Sequence, residues 1–335
     1  MYEGTLSRPM SDDADRGQLL VIVGLIIAVS FIGLAVALNA AIFTENLSTR
    51  ESVDAEEAAA YSADVEPAIG DAYDETNDGS AATAADARGK FGALLGEWET
   101  AREREAAREG ADFGLNRAAH VGWRLEQGAN RSFAPANDDT ATDWTVADGV
   151  RNISAFELSV DRAKLYDGAD ASAFRLNVSN GTTHWELYVY QDSTNGDINV
   201  SEGDPTDPSS ENCSLTADRA VIDLRNEKLR NETLAEEDCS ALNFSSAVSG
   251  PLVVRYENVQ DGGSERVNGT YRVVVNGSDA VATDGNDEPE RFNASGASAP
   301  TATAVVYAVS YDTHYRRNDV VHDREGRYAP RAEAY

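Results

Sequence analysis

Few side chains in this sequence have the types and spacing of a metal site. The four histidines are His120, His184, His314 and His322, and they do not share a metal-ligand spacing. His314 and His322 both lie near the last predicted strand and could approach one another, but surface histidines are the simpler interpretation. We predict no metal site at these residues.

One segment has the order of oxygen ligands that a calcium loop requires. Ser193, Asn195, Gly196 and Glu202 match positions three, five, six and twelve of such a loop. Gln191 at position one is a poor ligand, and predicted strands stand where the flanking helices belong, so we predict a hairpin turn. The sequence also has no phosphate-binding glycine loop and no Gly-x-Ser-x-Gly elbow. We predict a protein that is not an enzyme and has no cofactor.

Asparagine carries the clearest chemical signal, as the acceptor of N-linked glycans in Asn-x-Ser/Thr sequons. Of 21 asparagines, 12 stand in this motif, whereas 26 serines and 20 threonines in 335 residues give about 3 by chance. β-Turns enrich these residue types but do not explain a fourfold excess at one spacing. We predict glycosylation at Asn46, Asn130, Asn152, Asn177, Asn180, Asn199, Asn212, Asn231, Asn243, Asn268, Asn276 and Asn293.

Cys213 and Cys239 are the two cysteines of the chain. In a cytosolic protein they would be read as two unrelated buried thiols. On an extracellular domain they would close a loop of about 27 residues and stabilise the fold by roughly 3 to 4 kcal/mol. We predict a disulfide between them.

An apolar segment precedes all twelve sequons. Residues 19–43 contain no charge and would span roughly 37 Å as a helix, enough to cross a bilayer. The sequons place the chain beyond this segment outside the cell, and Arg8 and Arg16 before the segment against Arg50 after it agree with that orientation. We predict a single-pass membrane protein in contact with lipid, with its N-terminus inside and its C-terminal domain extracellular.

The charge of the chain limits its partners and indicates its setting. With 58 acidic and 28 basic residues, the net charge of −30 excludes nucleic acid and anionic lipid as partners of the soluble part. A hydrophobic content of 41 % and long β-branched runs argue against disorder. Lysine occurs only at Lys90, Lys164 and Lys228, which favours a salt-loving archaeon, where molar salt screens repulsion within about 3 Å.

The residues before the apolar segment indicate how the N-terminus is processed. Asp15, Arg16, Gly17 and Gln18 directly precede it, and this order resembles the prepilin-peptidase site of archaeal type IV pilins and archaellins. The stretch through Leu47 is similar to the start of haloarchaeal pilin-like surface proteins of unassigned function. The resemblance implies cleavage by a prepilin peptidase after Gly17, with Gln18 as the mature first residue. An uncleaved anchor is the alternative, since the apolar core is too long for a secretory signal peptide.

Small residues recur along the apolar segment. Gly33, Ala37 and Ala41 stand four residues apart, and Gly24 and Ala28 form a similar pair on the opposite side. Such rows let membrane helices approach closely. We predict self-association, or packing with other pilin-like subunits, through this helix.

Beyond the membrane we predict a helical stalk. Ala- and Glu-rich sequence extends the first helix until a break between Pro67 and Gly79. A second helix then has Phe91, Leu94, Leu95 and Trp98 at helical spacing. We extend this helical pattern beyond Gly110 through Leu115, Ala118, Ala119, Gly122 and Leu125.

The C-terminal half has the alternating pattern of strands. Three segments alternate apolar and polar residues, namely 156–160, 174–178 and 185–190. Four more are further strand candidates, 220–224, 252–256, 271–275 and 304–311, and turn signals separate the segments. Residues 197–218 and 279–300 are predicted to be long loops. The fold class is α+β, with an antiparallel, sandwich-like β domain. The predicted divisions are leader 1–17, transmembrane helix 18–46, helical stalk 47–130 and extracellular β domain 131–335.

Two functions fit these features. The first is a membrane-anchored structural subunit, a pilin-like component of a type IV pilus-related surface assembly. The second is a monomeric anchored surface glycoprotein that binds a sugar, a protein or a solute. Cleavage at Gly17 and self-association of the helix favour the first, and a lone uncleaved anchor favours the second.

Overall fold

The computed structural model describes residues 12–233, 235–276, 291–294, 300–318 and 320–329, without the side chains of residues 12–19, 43–54 and 294. Within these ranges the chain begins with helices α1 (Asp12–Asn77) and α2 (Ala84–Arg108). The strands are β1 (Asp112–Ser132), β2 (Trp144–Val150), β3 (Ile153–Asp161), β4 (Phe174–Ser179), β5 (His184–Gln191), β6 (Ile198–Glu202), β7 (Asn212–Leu215), β8 (Arg219–Asp223), β9 (Lys228–Asn231), β10 (Glu236–Asp238), β11 (Leu252–Glu257), β12 (Gln260–Asp261), β13 (Ser264–Glu265), β14 (Asn268–Asn276), β15 (Asn293–Ala294), β16 (Thr301–Arg317) and β17 (Val320–Tyr328).

Helix α1 is continuous where we expected a break. It passes through Pro67 and ends at Asn77, so the predicted loop between Pro67 and Gly79 is wrong for most of its length. Proline in a helix interior removes one backbone hydrogen bond and costs about 3 kcal/mol. Pro67 is exposed, so the carbonyl that loses its partner can bond to water. The opposite side of the helix buries Val65 and Ile69 completely, and this packing outweighs the proline.

Helix α2 ends earlier than its pattern suggested. It starts at a capping box, in which Thr83 Oγ1 accepts from the Asp86 backbone N–H and the Asp86 carboxylate accepts from the Thr83 N–H. It stops before Gly110, whose φ is +76°. The predicted helix through Leu115 and Leu125 is wrong, because those residues belong to β1. In β1 they point to one face of the sheet with Phe113, a spacing of two that the intervening alanines and glycines obscured.

Two sheets form the β domain and share one hydrophobic core. Among the described residues, nine strands form a largely antiparallel sheet in the order β10-β9-β8-β3-β14-β1-β16-β15, with β17 paired to β16. Six strands form a second, antiparallel sheet in the order β2-β11-β4-β5-β6-β7. The core between them contains Leu125, Phe156 and Tyr271 from the first sheet and Leu176 and Leu187 from the second.

The strand predictions held where alternation was clear. All seven predicted segments are confirmed, in β3, β4, β5, β8, β11, β14 and β16. The predicted loop at 197–218 is wrong, since it contains β6 and β7. Ile198 and Val200 of β6 are fully buried and draw this segment into the second sheet. Most of the predicted loop at 279–300 lies outside the described residues.

The two helices pack on the sheet, which makes the fold α+β as predicted. The C-terminal part of α1 and one side of α2 cover the first half of β1 and the second half of β16, where β17 extends the sheet. We call this unit of α1 from residue 55 onward, α2, β17 and the adjoining halves of β1 and β16 the helix–ladder module. The helices and the second sheet lie on the same face of the nine-stranded sheet. Odd-numbered residues of β1 share one face, and among them Phe113 and Leu115 pack against the helices. Farther along the same face, Trp123 and Leu125 pack against the second sheet.

Candidate functional site

One part of α1 is apolar and exposed on all sides. Leu20–Ile42 is long and apolar enough to cross a membrane, and none of it is buried in the fold. Its large side chains are all exposed, with Leu20 at 73 % and Val36 at 65 %. A soluble surface rarely shows so long an apolar stretch. Its length and composition are those of a helix surrounded by lipid or by other apolar helices.

The structure locates the residues of the predicted cleavage and helix-packing sites on this helix. Gly17 and Gln18 belong to the backbone of α1, while residues 1–11 of the predicted leader lie outside the described residues. Gly33, Ala37 and Ala41 lie in the exposed apolar part. A Cβ atom added at Gly33 meets no atom within 4 Å, so the glycine has no packing role inside this chain.

Aromatic packing holds the C-terminal part of α1 against the sheet. Tyr61 packs against Phe113 and Tyr315, with ring centroids 5.6 Å and 5.1 Å apart. Val65 and Ile69 continue the same buried side of the helix. One helix thus leaves an apolar half exposed and fixes its other half to a sheet.

Charged and phenolic groups line the edge of this contact. Glu57 pairs with Arg317, and Glu66 accepts hydrogen bonds from the Tyr311 hydroxyl at 2.7 Å and from Arg324 at 2.5 Å. Burial, and after it the hydrogen bond to Glu66, raises the pKa of Tyr311 to about 12. Two carboxylates of α1 are thereby paired with arginines of β16 and β17.

Asn77 joins the end of α1 to the sheet. Its side-chain amide donates to the Val306 carbonyl at 2.9 Å, and its Oδ1 accepts from the Val306 N–H at 2.8 Å. Arg124 donates to the Asn77 carbonyl at 2.7 Å, which places a positive charge at the helix C-terminus. Residues 301–302 of β16 pair with β15 and residues 309–317 pair with β17, and Asn77 bonds to the stretch between them. Asn77 could not be identified from sequence, because its partner lies 229 residues away.

The predicted disulfide is present. Cys213 of β7 and Cys239 after β10 are bonded, with Cα atoms 5.9 Å apart. Since β7 belongs to the second sheet and β10 to the first, the bond joins the edge strands of the two sheets.

Eleven of the twelve sequons lie in the β domain, and Asn46 lies on α1, just after the apolar segment. The structure does not describe the side chain of Asn46. The environments of the others differ widely. Asn130, Asn152 and Asn212 are exposed, Asn268 is buried, and the remaining seven are half-buried, namely Asn177, Asn180, Asn199, Asn231, Asn243, Asn276 and Asn293.

The histidines are not brought together. His314 of β16 and His322 of β17 lie on neighbouring strands, but Tyr315 is the residue opposite His322, so the two imidazoles point to opposite faces. His120 contacts Ser310 at 2.8 Å. Within the described residues no group of three or more His, Cys, Asp or Glu side chains could hold a metal ion.

The calcium-like segment forms the predicted hairpin turn. Residues 192–197 connect β5 to β6, and the Gly196 N–H donates to the Asp192 carbonyl at 2.8 Å. Glu202 lies at the far end of β6, opposite Leu187, and does not reach the turn.

A cavity of about 290 Å³ opens beside β2, and Trp144, Asp143, Arg255 and Arg291 are among its lining residues. Asp143 accepts from the Asn258 N–H at 2.8 Å, and Arg291 donates to the Thr145 carbonyl at 3.1 Å. These charged groups are bonded within the protein and do not define a ligand class.

These features define an α+β protein whose N-terminal helix can span a membrane by its length and composition. Residues 13–149 match a family of unknown function, DUF7261. The match begins at the start of α1 and ends within β2, and it covers both helices and β1. No curated protein and no solved structure matches the chain.

Proposed function

We propose that this protein is a membrane-anchored, pilin-like structural subunit of a type IV pilus-related surface assembly. The observation that carries the proposal is the division of one continuous helix. Leu20–Ile42 is apolar and exposed, and the same helix from Ala58 to Ala72 is built into the core of an α+β domain. Such a helix can sit in a bilayer as an anchor and pack with copies of itself in a polymer.

The distribution of sequons supports contact between copies near the helix. Asn46 is the one sequon on α1, between the apolar segment and the helix–ladder module. No sequon lies in residues 47–129 or after Asn293, so the module itself is predicted to carry no glycan. Glycans on the two-sheet end of the domain would then leave this module free to approach a neighbour.

The proposed topology places residues after Arg50 outside the cell and the leader inside. A prepilin peptidase at the inner membrane face would cut after Gly17. Removal of the leader takes away Asp12, Asp13 and Asp15, whose passage through lipid would cost several kcal/mol each. The helix could then leave the bilayer and enter a filament.

Variants of the apolar helix test assembly. Cells expressing the full chain are sheared, and the released material is sedimented and probed for this protein. We expect sedimenting polymers from the wild type and fewer from Gly33→Leu, because leucine keeps helices apart where a small residue lets them approach. Val36→Leu is the control, since it changes a large side chain that is 65 % exposed and lies outside both rows of small residues.

Recovery of the wild type only as a single membrane-bound protomer would contradict the proposal. The protein would then be the alternative, a monomeric anchored surface glycoprotein that binds a sugar, a protein or a solute.

A further inference from the structure

We propose that N-glycosylation of this chain is decided by the setting of each sequon in the fold. Three exposed and two turn-capping asparagines accept glycans. Three asparagines that are not exposed and whose amides donate to carboxylates do not. The acceptors are Asn130, Asn152, Asn212, Asn231 and Asn243, and the unmodified residues are Asn177, Asn199 and Asn268. The inference rests on the extracellular topology of the proposed function.

The chemistry requires an accessible amide nitrogen. The asparagine Nδ2 attacks C1 of a sugar carried on a lipid phosphate, which forms the N–C bond and breaks the C1–O bond. The lipid phosphate leaves with the electron pair, and a base of the transferase takes a proton from the nitrogen. An amide nitrogen that is buried, or that is half-buried and donates to a carboxylate, is not free to make this attack.

Exposed positions meet this requirement. Asn152 lies between β2 and β3 with its side chain in solvent. Asn212 lies on β7, an edge strand, and its amide makes only a long hydrogen bond of 3.4 Å to the Ser210 carbonyl. Asn130 is exposed near the end of β1, where its amide contacts the Asp161 carboxylate at the surface.

Turn-capping asparagines meet it in another way. The Asn231 Oδ1 accepts from the Thr233 N–H at 2.9 Å, the Thr233 hydroxyl at 2.8 Å and the Ala235 N–H at 3.0 Å. The Asn243 Oδ1 accepts from the Ser245 hydroxyl at 3.0 Å and from a backbone N–H. Hydrogen bonds to the amide oxygen stabilise the negative charge that collects there as the nitrogen loses its proton.

Asn268 shows why burial prevents the reaction. It is 8 % exposed on β14, which lies between β1 and β3, and its Nδ2 donates to Glu265 at 3.1 Å. Its Oδ1 is enclosed as well. A glycan at this position would have to displace the neighbouring strands.

Asn177 and Asn199 are half-buried on inner strands of the second sheet, on the face that points away from the core. Asn177 lies on β4 between β11 and β5, with its amide 3.3 Å from Glu186 Oε1. Asn199 lies on β6 between β5 and β7, with its amide 3.3 Å from Asp192 Oδ2. In a strand, residues two apart share a face, so the sequon spacing at these sites is also explained by a polar strand face.

Glycopeptide mapping tests the inference on the full chain purified from the membranes of its native host. Mass spectrometry of protease digests should find glycan on the five acceptor asparagines and none on Asn177, Asn199 and Asn268. Two variants remove a sequon without changing its asparagine. Ser154→Ala should lower the mass of the intact protein by one glycan, and Thr270→Val should change it only by the substitution.

Glycan on Asn177, Asn199 or Asn268 would overturn the inference, and so would acceptor sites that are mostly unmodified. Protease treatment of intact cells separates this failure from failure of the proposed topology. Cleavage beyond Arg50 in a chain without glycan would contradict the acceptor assignment alone, whereas protection of that region would contradict both.

Discussion

Asn77 gives the sharpest test of how the helix is joined to the sheet. Its side chain makes two hydrogen bonds to Val306, at 2.9 Å and 2.8 Å, and Val306 is fully buried. Asn77→Ala leaves a buried N–H and a buried carbonyl without partners, at roughly 1 to 3 kcal/mol each. We expect the free energy of unfolding to fall by about 2 to 4 kcal/mol.

Two further variants define this effect. Asn77→Asp keeps an oxygen for the Val306 N–H but sets a second oxygen against the Val306 carbonyl, so we expect it to be at least as destabilising as alanine. Asn116→Ala is the control, because Asn116 donates to Asp312 at 2.9 Å on the exposed side of the sheet. We expect the control to lower stability by less than about 1 kcal/mol.

The assay is urea unfolding of the full chain in detergent, followed by tryptophan fluorescence. Trp123 pairs with Ala304 on β16, close to the Asn77 contact, and reports on this part of the sheet. If Asn77→Ala and Asn116→Ala lowered the free energy of unfolding equally, the Val306 backbone would not depend on Asn77, contrary to this prediction.

Three other predictions concern stability and can be checked by the same unfolding measurement. Gly89→Ala should raise the free energy of unfolding by up to about 1 kcal/mol, since the position is helical and an added Cβ meets no atom within 4 Å. Gly122→Ala should lower the free energy of unfolding, because its Cβ would lie 2.0 Å from a backbone carbonyl oxygen. With its pKa raised to about 12, Tyr311 keeps its proton in the folded state while the unfolded chain loses it above pH of about 10, so stability should fall between pH 10 and 12, and fall less in Tyr311→Phe. Replacing both Cys213 and Cys239 by alanine should lower stability by about 3 to 4 kcal/mol in the chain-entropy treatment, and an unchanged urea midpoint would contradict it.

The sequence predicted those strands whose side chains alternate clearly between core and solvent. Residues 174–178 form β4 as expected, with Phe174, Leu176 and Val178 all fully buried. β1 was missed because alanine and glycine between Leu115 and Leu125 imitate a helical pattern. β17 was missed because Val320–Tyr328 is an edge strand with no fully buried residue, and pairing with β16 forms it.

Long-range contacts set the limit for the candidate site. The apolar helix and the disulfide could be predicted from local composition and from there being two cysteines. The continuation of α1 through Pro67 and the role of Asn77 depend on a sheet formed by residues more than 200 positions later. The twelve sequons are identical as motifs, so their burial separates Asn268 from Asn152 only once the strands are paired.

Mass mapping of the N-terminal peptide shows whether this chain is processed as a pilin-like subunit. The mature protein would be isolated from native membranes, and we expect Gln18 as its first residue, because a prepilin peptidase would cut after Gly17. A mature protein that begins between Met1 and Ser11 would contradict the proposed function, because the acidic leader would then hold the helix in the bilayer as a permanent anchor.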